Sequence, residues 1–139
     1  MPELPFKILG IEHIGIAVDD LNSISDVFSD LLGLKLSSRE KIDDQQVITD
    51  IYETGSGKLE FLKATDKNSP ISRFIEKNGK GMHHIALKVD NLQAALDYLK
   101  SQDIQLIDTS PRIGAEGFKI AFLHPKSTGG VLIELCEKK

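Results

Sequence analysis

Two histidines and two glutamates stand out because each interrupts an otherwise apolar strand pattern. The histidines lie in Ile11-Glu12-His13-Ile14-Gly15-Ile16-Ala17-Val18 and in His83-His84-Ile85-Ala86-Leu87-Lys88-Val89. The glutamates lie in Lys58-Leu59-Glu60-Phe61-Leu62 and in Val131-Leu132-Ile133-Glu134-Leu135-Cys136. A carboxylate on an apolar strand is unfavourable unless it is paired or metal-bound. Strand side chains alternate between faces, so His13 shares a face with Gly15 and Ala17, and His84 with Ala86, while His83 points the opposite way. A face holding one histidine among very small residues leaves room for an ion and a substrate. Imidazole and carboxylate donors suit a divalent first-row ion, with positions left open for water or substrate. His13, Glu60, His84 and Glu134 are therefore the candidate metal ligands, a shell of two histidines and two glutamates. Donor types alone do not choose among Co, Ni, Mn, Zn and Fe.

Taken singly, a strand histidine or glutamate is more often a hydrogen-bonded or solvated structural group. Repetition changes that. The pattern H-I-small-apolar-x-V-D-D/N-L occurs from His13 to Leu21 and again from His84 to Leu92, an offset of 71 residues. Each copy is followed by a helical pattern and then by strands, and Glu60 and Glu134 each fall in the last strand of their copy. Strands are expected over 11–18, 47–53 and 58–63, and again over 84–89, 119–123 and 131–136. The spacing predicts a helix over Asn22–Leu32, with Gly33 as its left-handed stop. A second helix is striped by Leu92, Ala95, Leu96 and Leu99 behind Asn91 as N-cap. Ser69 as N-cap, Pro70 at the first helical position and Asn78-Gly79 at the end mark a short helix between the copies. The expected fold class is α+β: a single domain over 1–139, with a first βαβββ module over 8–66, a linker helix over 67–80 and a second βαβββ module over 81–139. These tandem modules are expected to form a mixed β-sheet cleft with a pseudo-two-fold.

The chain has 139 residues, with 21 acidic against 17 basic side chains and a net charge of −4, which argues against a nucleic-acid-binding surface. No apolar run is long enough for a membrane span. Residues 1–10 lack the apolar core of a signal peptide, and the single cysteine, Cys136, suits a reducing compartment. The expectation is a soluble cytoplasmic protein. No phosphate-binding glycine loop, dinucleotide fingerprint or nucleophile elbow is present. His124, before Pro125, reads as a turn residue, and Cys136, on the face of Glu134, as a buried inert thiol.

The repeated module with one histidine and one glutamate in each half resembles the vicinal oxygen chelate superfamily, which includes glyoxalase I and extradiol dioxygenases. Within it, three segments are similar to the methylmalonyl-CoA epimerase family: I-E-H-I-G-I-A-V-D-D-L (11–21), N-S-P-I-S-R-F-I-E-K-N-G-K-G-M-H-H-I-A (68–86) and, most specifically, P-R-I-G-A-E-G-F-K-I-A-F-L-H-P-K-S-T-G-G-V-L-I-E-L (111–135). The resemblance covers nearly the whole chain. It implies the glyoxalase fold, a homodimer, an acyl-CoA substrate and a divalent metal, commonly cobalt, with Ni, Mn and Zn as further options. It places His13, His84 and Glu134 on the family's ligand positions and Glu60 on the remaining one, which is Gln in some members. The implied reaction interconverts (S)- and (R)-methylmalonyl-CoA through an enolate that the metal stabilises by chelating the thioester and carboxylate oxygens. Glu134 is implied as one proton carrier. The second carrier in the family is a glutamate that falls here at Thr49 or Asp50, so Asp50 is the catalytic candidate if the strand register turns it inward. Lys119 and Lys126 are candidates for the CoA phosphates. The alternative reading is a glyoxalase I-type lyase acting on a glutathione hemithioacetal, which could use the same four ligands.

Overall fold

Residues 3–139 are described in a computed structural model. Two compact units divide the chain: one is His13–His83, and the other joins His84–Lys139 to the segment ending at Glu12.

In the first of these, β2 (Lys35–Ile42), β3 (Val47–Glu53), β4 (Lys58–Ala64) and the His13–Val18 part of β1 (Ile8–Val18) lie in the order β2-β3-β4-β1. β2 and β4 run antiparallel to β3, whereas β1 is parallel to β4. Period-2 alternation assigns the two faces. Val18, Tyr52 and Phe61 pack with Leu21, Ile24 and Phe28 on one side, and Ala17, Val47 and Leu62 pack under Ile71, Phe74 and Ile75 on the other. The first set covers the sheet with α1 (Leu21–Ser25), where Asp20 accepts the Asn22 N–H as cap. The single helix predicted over 22–32 is in fact a short α-helical start followed by a wider turn over Asp26–Leu31. There Leu32 N–H reaches back five residues to Val27 O at 2.8 Å. One extra residue per turn brings Phe28 onto Tyr52 and Phe61, its ring centroid 4.8 Å from that of Phe61. Gly33 then takes φ +73°, the left-handed stop. The second set lies beneath α2 (Pro70–Asn78), which has Ser69 as N-cap, Pro70 at its first position and Gly79 at its end.

The other unit orders its strands β5-β8-β7-β6: β5 (Gly81–Val89), β6 (Arg112–Ile113), β7 (Lys119–Leu123) and β8 (Ile133–Glu137). β5 and β8 are parallel, and the remaining pairs antiparallel. α3 (Leu92–Ser101) is capped by Asn91, whose side chain accepts from Ala94 N–H. Its first N–H, on Leu92, donates to Glu137 Oε1 at 2.7 Å, which fixes the helix to β8. Leu92, Ala95 and Leu96 pack on Val89, Ala121 and Leu135, and Phe6 joins them against Tyr98. The two-residue strand β6 is too short for a periodicity to announce it. Mixed sheets with helices laid on them place the protein in the α+β class, as expected. No described helix is long and apolar enough to cross a membrane.

Candidate metal centre

Each unit builds one histidine–glutamate pair, and the two are built alike. In parallel pairing, Glu60 of β4 stands opposite Gly15 of β1, and Glu134 of β8 opposite Ala86 of β5. In both cases the glutamate faces the small residue two positions beyond the histidine. The missing bulk at Gly15 and Ala86 lets the carboxylate lean along the strand toward the imidazole. His13 Nδ1 lies 3.1 Å from Glu60 Oε2, and His84 Nε2 lies 3.4 Å from Glu134 Oε1. The four residues are only 4–6% exposed.

These separations suit a metal. Two donors bound to one ion at about 2.1 Å and at angles of 90–110° lie roughly 3.0–3.4 Å apart. The donor set is nitrogen and oxygen, desolvated, and the residues next along the histidine strands on the same face are the small Gly15, Ala17 and Ala86. Either pair could therefore supply two neighbouring ligands of a divalent ion. The His84 ring also meets Phe122 edge-on at 5.5 Å, which fixes its plane. His83 lies on the other face of β5, stacked edge-to-face on Phe74 of α2 at 4.8 Å. Burial lowers its pKa to about 4, so it stays a neutral packing group near pH 7.

The structure corrects the proposed role of Asp50. Glu60 pairs with Ile51, so Asp50 pairs with Phe61 and points to the opposite face of the sheet, the one covered by α1. There it is 0% exposed and gripped by Arg39, whose Nε donates to Oδ1 at 2.6 Å and Nη2 to Oδ2 at 2.9 Å. The same hydrogen bonds and negative charge raise the pKa of Arg39 above its ordinary value. A carboxylate so held is a structural ion and does not carry the substrate proton. Arg39→Met leaves that buried charge without its counter-ion and should destabilise the fold by about 2 kcal/mol. Urea unfolding at pH 7 measures the loss, and an unchanged midpoint would show that the ion pair contributes nothing. Thr49, the other position considered, does share the Glu60 face, but it is 0% exposed and packed away. The carboxylate that the register puts on this face is Glu40, half-buried on β2 and opposite Thr49.

Lys119, a candidate for the CoA phosphates, opens β7. It alternates with Ile120 to the side away from Glu134 and pairs with Glu137 at 3.9 Å. Lys126 is exposed on the 125–127 turn, and His124 Nδ1 caps that turn by accepting the Lys126 N–H at 3.0 Å. Cys136 is fully buried among Ile120 and Phe122, an inert position.

Sequence reasoning passed over Glu12, which is 5% exposed beside His13 and has Lys138 Nζ 3.8 Å away. The signal was the one that marked Glu60, a carboxylate on an apolar strand. It also passed over Arg112, which lies over the Phe122 ring at 5.6 Å and is held by Asp108 at 3.3 Å.

The chain is similar to several known proteins. Residues 12–122 match the Glyoxalase/Bleomycin resistance protein/Dioxygenase superfamily. The uncharacterized protein YqjC of Bacillus subtilis (strain 168) is 43% identical over 129 residues, covering 93% of this chain and 92% of that protein. The mitochondrial methylmalonyl-CoA epimerase of Mus musculus is 37% identical over 131 residues, 94% of this chain and 74% of that one. The crystal structure of methylmalonyl-CoA epimerase from Mycobacterium tuberculosis superposes with a TM-score of 0.90 at 34% identity, covering 95% of this chain and 89% of that chain.

Proposed function

This chain belongs to the Glyoxalase/Bleomycin resistance protein/Dioxygenase superfamily, and within it to the methylmalonyl-CoA epimerase family; from that membership we propose that it interconverts the epimers of methylmalonyl-CoA. The observation that carries the reading is the twice-built pair: a buried histidine and glutamate at metal-ligand spacing, set at equivalent strand positions in two units, in a chain whose relatives bear the epimerase name. We assign His13, Glu60, His84 and Glu134 as ligands of a divalent metal, with Co²⁺ the first to load, in a protein that acts as a homodimer.

When bound, the ion supplies the Lewis acidity that makes the α-proton of a thioester removable. The rest falls to the chain. Epimerisation needs one group on each side of the planar enolate, one removing and one returning the proton. Glu134 serves one side through Oε2, with Oε1 directed at His84. Glu40 replaces Asp50 as the carboxylate assigned to the other side. The apolar residues Phe122 and Ile120, beside Glu134, keep bulk water from quenching the enolate.

The deciding experiment incubates Co²⁺-loaded protein with (S)-methylmalonyl-CoA in D₂O and follows the α position by NMR. Deuterium together with the (R) epimer is the expected result. No exchange with metal bound would overturn the reading. Turnover of methylglyoxal plus glutathione in its place would make the protein a lyase; nothing in the comparisons favours that alternative.

A further inference from the structure

Among the described residues, one charged side chain on the face of the His84–Glu134 pair lacks a counter-charge. β5 turns His84, Ala86 and Lys88 to one side, while Leu87 and Val89 go to the α3 side. Cross-strand pairing sets Lys88 against Cys136, Cys136 against Ile120, and Ile120 against Arg112. One rung therefore reads Arg112–Ile120–Cys136–Lys88, and the neighbouring rung reads Phe122–Glu134–Ala86. Lys88 starts one rung from Glu134, about 6.7 Å along the strand.

The two cations of this rung differ. Arg112 is engaged by Asp108 and by the Phe122 ring. Lys88 is half-buried, and its ammonium makes no ion pair or hydrogen bond among the described residues. Its neighbours across the sheet are the fully buried Cys136 and the apolar Ile120.

We propose that Lys88 binds the free carboxylate of the substrate, the group that a malonyl-type thioester carries on its reacting carbon and a simple acyl-CoA lacks. This rests on the epimerase reading above. The four-carbon stem of lysine spans the single rung to Glu134, where that reading places the reacting carbon. The phosphates of CoA stand off by the whole pantetheine arm, so the anion within reach is the carboxylate. A compact ammonium suits the one carboxylate oxygen that the epimerase reading leaves turned away from the metal. Lys88 is then a specificity-determining residue, one that separates carboxylated from plain acyl-CoA.

The test titrates metal-loaded wild type, Lys88→Met and Lys88→Arg with malonyl-CoA and with propionyl-CoA. Lys88→Met should weaken malonyl-CoA binding about 10- to 100-fold and change propionyl-CoA binding less than about 2-fold, with bound metal unchanged. Lys88→Arg should restore most of the difference, and rising salt should shrink it. Equal weakening of both ligands, or of neither, overturns the proposal. If Lys88→Met does not fold, Lys88→Gln gives the same ratio of affinities. The two readings fail separately: wild type that exchanges no α-proton sinks the epimerase assignment, whereas an exchanging enzyme whose Lys88 variants keep the malonyl-CoA preference sinks this inference alone.

Discussion

His84→Ala should empty the metal centre and abolish turnover, while His83→Ala, one residue away, should leave metal content untouched. Both residues are histidines on one strand, and both are largely withdrawn from water. Only the face differs. His84 Nε2 lies 3.4 Å from Glu134 Oε1, whereas His83 is stacked on Phe74. Losing even an outer partner of a metal site lowers affinity about 10- to 100-fold, so losing a direct ligand should lower it at least about 100-fold. His83→Ala removes an aromatic contact, for a stability loss of about 1 kcal/mol. Metal content after dialysis, measured beside thermal unfolding, separates the two effects. A metal-free His83→Ala with a metal-loaded His84→Ala would break the face assignment on which the site depends.

The second large effect expected is a difference between two glutamates. Glu134→Gln should reduce turnover about 100- to 1,000-fold, because it removes a proton carrier as well as a charged ligand. Glu60→Gln keeps an oxygen donor within reach of His13 and carries no proton in this scheme, so a loss of about tenfold or less is expected. Both variants are nearly isosteric, which leaves packing around Gly15 and Ala86 unchanged. The measurement is kcat at saturating metal and substrate, paired with the rate of α-deuterium exchange. Equal losses would remove the dual role from Glu134. A Glu134→Gln variant that exchanged deuterium normally would assign the proton transfer elsewhere.

The four proposed ligands were legible because a strand has period 2. Once His13 and His84 were placed on strands, Gly15, Ala17 and Ala86 had to share their faces, and the repeat carried the same logic from Glu60 to Glu134. The caps at Asn91 and Ser69 were legible for a similar reason, since each satisfies orphan N–H groups through a side chain next to it in sequence. The helix after β1 was legible in place but not in form. Its wider turn over Asp26–Leu31 answers to the rings of Tyr52 and Phe61, which are distant in the chain.

Asp50 marks where local reasoning stopped. Shifting a strand by one residue exchanges its two faces, and the shift is fixed only by its partners. The pairing of Ile51 with Glu60 sends Asp50 to Arg39, and the pairing of Thr49 with Glu40 brings forward a carboxylate from a strand the sequence did not single out. Lys119 and Lys88 were separated by the same rule, one turned to the α3 side and one to the side of Glu134. The sequence by itself determined which residues could bind a metal, how many modules carry them and where the helices start, because those follow from residue type and short spacing. Register, and with it the faces on which Asp50, Glu40 and Lys88 lie, was decided only in the tertiary structure, because hydrogen bonding between strands far apart in the chain sets which side chains share a face.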